Sequence, residues 1–101
     1  MSELETIAKR LQALGHPMRL KIVRRLASED RDMYLNEIAN GIGINRALAK
    51  IHLNKLEREG IVKSRVVLVE GEAKALRFYS LKEFDINISR NTLKEVKEND
   101  E

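Results

Sequence analysis

Residues 35–62 contain the sequence feature that most constrains the fold of this chain. Apolar side chains recur at spacings of three and four from residue 35 to residue 42, which predicts a short helix. Gly43 then provides a permissive backbone for a tight turn. Asn45 stands where the next helix would begin, since its side chain can accept from the free N–H groups of a first helical turn. A run of β-branched residues follows at once, so a strand is expected directly behind two crossing helices.

This arrangement predicts a helix-turn-helix over about residues 35–59. Close crossing of two helices needs a small residue at the contact, and Ala39 meets that need. The second helix is expected to end at Gly60, with Leu53 and Leu56 on its buried stripe. The second helix of such a motif can lie in the major groove of DNA.

The flanking sequence predicts the rest of a single domain, residues 1–101. Residues 3–14 have the periodicity of an amphipathic helix, and Pro17 fits the first turn of a second, core helix. Two strands around a short loop are expected over about residues 62–81, as a wing, and a last helix over about residues 88–98. The predicted fold class is α+β and mainly α, a winged helix-turn-helix in the order α-α-α-α-β-β-α.

Charge and composition narrow the function classes. The formal net charge is only +3, but residues 43–65 carry six basic against two acidic side chains, and such a local excess suits a surface that faces phosphate. No apolar run is long enough to span a membrane, and the first residues lack the pattern of a signal peptide. A cytoplasmic, nucleoid-associated protein is expected.

The exposed face of the predicted second helix carries the candidate DNA-reading residues. These are Arg46, Ala47, Lys50, Ile51 and Asn54. Arginine and lysine can donate to guanine, asparagine can pair with adenine, and apolar side chains can contact the thymine methyl group. Asn45 is assigned to DNA binding as well as to the cap. For Ile51 the alternative is packing against the wing or the preceding helix, and for Lys55 and Arg58 the alternatives are phosphate contacts or solvated surface.

The remaining polar residues indicate neither an enzyme nor a metal protein. There are no cysteines, and two isolated histidines make a poor metal site. His16 is expected to cap or pack at the start of the second helix. His52 is expected to be a hydrogen-bonded packing residue or a phosphate contact. No cofactor, metal or catalytic residue is predicted.

Several segments resemble the ArsR-type winged-helix repressors. Residues 14–23 resemble the opening of the core helix of that family, residues 38–45 and 52–62 resemble its helix-turn-helix, and residues 77–81 are similar to its second wing strand. The resemblance covers about residues 4–81. It implies a homodimer formed by the first and last helices, with two recognition helices on half-sites of a near-palindromic operator.

The resemblance implies that apolar residues of the terminal helices form the dimer interface. The predicted dimer-interface residues are Leu4, Ile7, Leu11, Leu93 and Val96. The alternative is that the first helix folds onto the second helix of its own chain.

The chain also departs from the family. It lacks the cysteine pair of the third helix and the histidine ligands of the last helix that metal-sensing members carry, so no metal site is carried over. Ile51 stands where the family often has a polar residue. The wing tip at Glu70 and Glu72 is acidic, which leaves Lys74 and Arg77 as the wing residues expected to contact the DNA backbone.

The predicted function is a sequence-specific regulator of transcription that binds double-stranded DNA, as a homodimeric repressor. Two alternatives stay open at this point. One is a chromatin-like protein that binds DNA without sequence preference, and the other is a winged helix that binds protein. The sequence does not name an operator, a target gene or an inducing signal.

Overall fold

The computed structural model describes residues 2–97, which form helices followed by a small sheet. The elements in chain order are α1 (Glu3–Leu14), α2 (Pro17–Glu29), β1 (Met33–Tyr34), α3 (Leu35–Ile42), α4 (Arg46–Arg58), β2 (Val62–Leu68), β3 (Ala75–Leu81) and α5 (Arg90–Glu95). The predicted order of helices and wing strands is confirmed, with one strand added between α2 and α3. No helix of this described part is long and apolar enough to cross a membrane.

Local capping explains where the first two helices begin. The Ser2 side chain accepts a hydrogen bond from the Glu5 amide at 3.1 Å, and the Glu5 carboxylate accepts from the Ser2 amide in return. At the start of α2, Nδ1 of His16 accepts from the Met18 amide at 3.0 Å. The prediction that His16 caps this helix is confirmed, and Pro17 occupies the first helical position, where its missing N–H costs nothing.

The turn between α3 and α4 has the geometry that the sequence predicts. Gly43 adopts a left-handed conformation with φ of +77°, and its amide donates to the Ala39 carbonyl at 2.9 Å. Ala39 is buried, as close packing of the two helices requires. Ile44 packs against the core and holds the turn in place.

The sheet has the strand order β1-β3-β2 and is antiparallel throughout. Strands β2 and β3 form the predicted wing, with Val62 opposite Leu81 and Leu68 opposite Ala75. Strand β1 was not predicted from the sequence. It has two residues, Met33 and Tyr34, and it exists only because it pairs with Tyr79 and Phe78.

The core lies where α2, α3, α4 and the roots of the wing strands meet. Its fully buried side chains include Ile22 of α2, Ile38 of α3, Leu53 of α4 and Tyr79 of β3. Leu20, an apolar residue of α2, points outward and is 52% exposed. The core therefore holds the recognition motif and the base of the wing as one packed unit.

The last helix differs from its prediction. It spans only Arg90–Glu95, and none of its residues is buried. The expected range of 88–98 therefore shortens at both ends, and residue 98 lies outside the described residues. Helix α4 likewise ends at Arg58, one residue before the predicted end.

Candidate nucleic-acid interface

The exposed face of α4 carries charged and polar side chains that the rest of the fold does not use. Arg46, Lys50 and Asn54 are exposed, and within residues 2–97 no hydrogen bond or ion pair engages any of their side chains. Their spacing of four residues stacks them along one side of the helix. Such unpaired donors in a row are free to bond to another molecule.

Two apolar residues share this face. Ala47 is exposed, and Ile51 is 52% exposed. About half of the Ile51 side chain is therefore not covered by the wing or α3. Covering the exposed half with another surface would gain free energy.

Asn45 fixes the start of α4. Its Oδ1 accepts a hydrogen bond from the Leu48 amide at 2.8 Å, which confirms the predicted cap. This bond uses one of the two acceptor sites of the amide oxygen, and the side-chain nitrogen remains available to donate to a ligand. Leu48 itself, which the sequence analysis did not single out, is 38% exposed beside the cap.

His52 lies on the buried side of α4. Its ring contacts the ring of His16, with centroids 4.6 Å apart, and its Nδ1 has no hydrogen-bond partner among the described residues. The expected hydrogen-bonded packing role is therefore corrected to packing alone, and burial keeps the ring from a phosphate. Burial, followed by the charges of His16, Arg19 and Lys55, lowers the pKa of His52.

Lys55 and Arg58 are exposed and lie four residues after Ile51 and Asn54 on α4. They also line a groove of about 200 Å³ against α1 and α2, together with Lys9, Arg19 and Glu59. The sequence pattern did not indicate this groove, because Arg19 lies 36 residues before Lys55 in the chain.

The two candidate wing residues have different surroundings. Nζ of Lys74 lies 3.2 Å from Oε1 of Glu72, so an acidic neighbour at the wing tip partly neutralises it. Arg77 donates to the Ser64 hydroxyl at 3.0 Å, and that hydroxyl donates to the Glu57 carboxylate at 2.9 Å. This chain of two hydrogen bonds ties the wing to α4. Sequence reasoning missed Ser64 and Glu57.

Arg65 illustrates a limit of counting charges along the sequence. Its guanidinium pairs with the Asp32 carboxylate at 2.9 Å and lies 5.1 Å from the centre of the Phe78 ring. Part of the positive charge assigned to residues 43–65 is therefore neutralised by Asp32, which lies 33 residues earlier in the chain.

The candidate dimer residues form two neighbouring apolar strips. Leu4 and Leu11 on α1 and Leu93 on α5 are exposed, with exposed fractions between 37 and 44%. Ile7 and Val96 are partly buried and line one groove, which brings α1 beside the segment that leads into α5. Only the last turn of α1, at Ala13, is buried in the core of its own chain.

The described residues contain no group of three or more histidine, cysteine or acidic side chains placed to hold a metal ion. The free donors on α4 therefore form a surface that can bind another molecule.

A model of the helix-turn-helix domain family matches residues 14–65. An HTH-type transcriptional regulator of Methanocaldococcus jannaschii is 34% identical over 98 residues, which cover 97% of this chain and 99% of the relative. A homodimeric winged helix-turn-helix DNA-binding domain of Mycobacterium bovis, a possible ArsR-family regulator, matches in structure with a TM-score of 0.64 at 28% identity. That match covers 77% of this chain and 65% of the other. The chain is an ArsR-type winged helix-turn-helix regulator.

Another neighbour in structure is the transcriptional repressor BigR of Xylella fastidiosa. Its TM-score is 0.63 at 28% identity, over 82% of this chain and 74% of the repressor. The family consists of regulators of transcription and is not an enzyme family. The predicted fold and the predicted class, a DNA-binding regulator of transcription, are thereby confirmed, and α4 is the second helix of the helix-turn-helix.

Proposed function

We propose that this protein binds double-stranded DNA sequence-specifically, as a homodimer on a near-palindromic operator, and represses transcription there. The observation that carries the proposal is the exposed face of α4. Its three polar side chains, Arg46, Lys50 and Asn54, have no partner in the described part of the chain. An unpaired row of donors on a recognition helix matches the hydrogen-bonding pattern of base edges in a major groove.

Each residue of this face has a proposed role. Arg46 and Lys50, near the N-terminal end of α4, donate to guanine, and Asn54 pairs with adenine. Ala47 and Ile51 contact thymine methyl groups. Asn45 positions the helix through its cap and offers its side-chain nitrogen to DNA.

The wing supplies backbone contacts in this proposal. Arg77 is held by Ser64 and is the stronger candidate for a phosphate contact. Lys74 contributes less, because Glu72 is its neighbour within 3.2 Å. Lys55 and Arg58 are not among the residues proposed to contact bases, since they line the groove against α1 and α2.

The proposed dimer rests on the apolar strips of α1 and α5. Leu4, Leu11 and Leu93 are exposed side by side with the partly buried Ile7 and Val96. Covering them with the same strips of a second chain removes apolar surface from water and creates a two-fold axis. Two recognition helices would then meet half-sites about one turn of DNA apart.

The test compares two charge-matched double variants. Arg46→Ala/Lys50→Ala removes two charges from the reading face, and Lys82→Ala/Lys94→Ala removes two exposed charges elsewhere. Binding to an operator obtained by selection from random duplexes, and to a scrambled duplex, is measured by fluorescence anisotropy at several salt concentrations. We expect the first variant to lose the preference for the operator, since each good bidentate pair is worth about 1–3 kcal/mol of discrimination. The second variant should keep that preference.

Two outcomes would contradict the proposal. If selection yields no preferred sequence and wild type binds all duplexes alike, the protein binds DNA without sequence preference. If no duplex binds at low salt, the exposed face of α4 serves another partner, such as a protein.

A further inference from the structure

The groove between α1, α2 and the C-terminal end of α4 is a second concentration of positive charge, beside the reading face. It has a volume of about 200 Å³ and is lined by four basic side chains and one acidic side chain. The lining charges are Lys9, Arg19, Lys55, Arg58 and Glu59. Arg19 of α2 and the cationic side chains Lys55 and Arg58 of α4 repel one another, so their grouping favours a bound anion.

Arg19 provides the sharper observation. Its Nε is buried and has no hydrogen-bond partner within residues 2–97. A buried N–H without an acceptor costs free energy, and such a group in a native protein calls for an acceptor that the chain itself does not supply. Glu59, the one acidic residue lining the groove, makes no ion pair with any described residue.

The neighbouring charges are also unneutralised. Neither Lys55 nor Arg58 makes an ion pair or hydrogen bond in the part of the chain that the structure describes. Arg19 and Lys55 line the same groove, one from α2 and the other from α4. The groove thus combines an unsatisfied buried donor with at least two free cationic groups.

The groove adjoins the reading face. Lys55 follows Ile51 by four residues and Arg58 follows Asn54 by four residues, so both continue rows of the exposed face of α4. Arg19 enters the groove from α2, whereas Arg46, Lys50 and Asn54 all belong to α4. The pairing of Arg19 with Lys55 therefore distinguishes the groove from the reading face.

We propose that this groove binds a small free oxyanion of the phosphate class, with Arg19 and Lys55 as its main ligands. Arginine suits this role, because its fork of N–H donors matches the geometry of phosphate oxygens. Lys55 adds a compact charge from the recognition helix, so the bound anion joins α2 to α4.

The test is a titration of the whole protein with inorganic phosphate, followed by backbone amide chemical shifts, with chloride at matched ionic strength as the reference. We expect saturable shifts at millimolar phosphate for amides near Arg19 and Lys55, and no such shifts with chloride. Lys55→Gln and Arg19→Gln should lose the saturable response. Lys50→Gln, which removes the same charge from a position of the same helix that does not line the groove, should keep it.

Lys55→Gln changes an exposed side chain and leaves the core intact, so the test does not depend on whether Arg19→Gln folds. Shifts that do not saturate, that chloride reproduces, or that persist in Lys55→Gln would mean an adventitious ion only and would overturn the proposal. It would also be overturned if phosphate gave no response while Lys55→Gln lowered the salt dependence of DNA binding by about one counterion. In that case the anion is a phosphate of the DNA backbone.

Discussion

At the scale of single residues, Ile51 is the large apolar side chain among the proposed reading residues of α4. Arg46 and Lys50 are well solvated in water, whereas covering the exposed half of Ile51 would gain free energy. Its exposure matters because the core beside it, at Leu53 and Ala49, is fully closed. The side chain is therefore free to contact a ligand without any rearrangement of the core.

We expect Ile51→Ala to weaken operator binding by about 1 kcal/mol, roughly fivefold, through the loss of an apolar contact. The free energy of unfolding should change by less than about 0.5 kcal/mol, because the residue is largely exposed. Anisotropy titrations and urea unfolding measure the two quantities. The matched control is Leu20→Ala, which truncates a side chain of equal exposure (52%) on α2. An equal loss of affinity in both variants would argue against the proposed contact.

His52 is expected to make the stability of the folded chain depend on pH. Burial, then the charges of His16, Arg19 and Lys55, lowers its pKa in the folded protein, so the unfolded chain binds the proton more readily. Well above pH 6.5, His52 is neutral in both the folded and the unfolded chain, so it does not alter the free energy of unfolding. As the pH drops below about 6.5, the unfolded chain gains the proton first and the free energy of unfolding falls.

We therefore expect His52→Gln to lose less stability than wild type between pH 7 and pH 5.5, although its stability at pH 7 is lower. Urea unfolding at the two pH values measures the difference. Glu37, whose pKa the hydrogen bond from Arg31 lowers, acts in a more acidic range, so Glu37→Gln should retain the wild-type loss over this interval. Equal losses in wild type and His52→Gln would show that His52 is not the responsible group.

At the scale of elements, the sequence predicts helices and turns that neighbouring residues determine. It misses elements that form only by pairing with a distant part of the chain. Helices α1 to α4 were predictable, because caps such as Asn45 and a turn glycine such as Gly43 act within a few residues. Strand β1 was not, because its two residues are ordered only by their pairing with β3. A periodic pattern cannot arise in a strand of that length.

The candidate site follows the same rule. The exposed face of α4 could be predicted from helical spacing alone. The partners of Arg65 and Arg77 could not, since Asp32 lies 33 residues from the first and Ser64 lies 13 residues from the second. The groove around Arg19 also depends on tertiary packing, which brings three helices together.

The turn between α3 and α4 carries a prediction of its own. Gly43 has a φ of +77°, and a Cβ built there meets nothing within 4 Å. We expect Gly43→Ala to lower the free energy of unfolding by about 1–2 kcal/mol, because only the left-handed backbone is strained. Gly43→Asn should lose less, since asparagine tolerates this conformation better. Thermal and urea unfolding measure both, and a larger loss in the asparagine variant would point to a steric cause instead.

At the scale of the whole molecule, the apolar strips on α1 and α5 form the proposed dimer interface. Leu11 is 44% exposed, and Ala13, one half-turn further, is buried in its own core. The N-terminal part of α1 is thus open to a second chain, whereas its last turn anchors it to the first.

We expect Leu11→Glu to yield a folded monomer, because the new charge would be buried in the proposed interface but solvated in the single chain. Light scattering coupled to gel filtration measures the mass, and circular dichroism confirms the fold. Leu20→Glu, at an exposed position of α2, should remain a dimer. Operator affinity should fall sharply in Leu11→Glu, since one half-site cannot supply the contacts of two. A wild-type chain that is monomeric at micromolar concentration would contradict the two-half-site proposal.

The hydrogen bonds that join Glu57, Ser64 and Arg77 hold the wing at a set distance from α4. The protein would therefore present its two proposed DNA contacts at a fixed spacing. A duplex whose grooves are spaced differently must bend or untwist to fit, and the energy required depends on the base steps between the two points of contact. For the proposed regulator, base pairs that no side chain touches would therefore take part in choosing the operator.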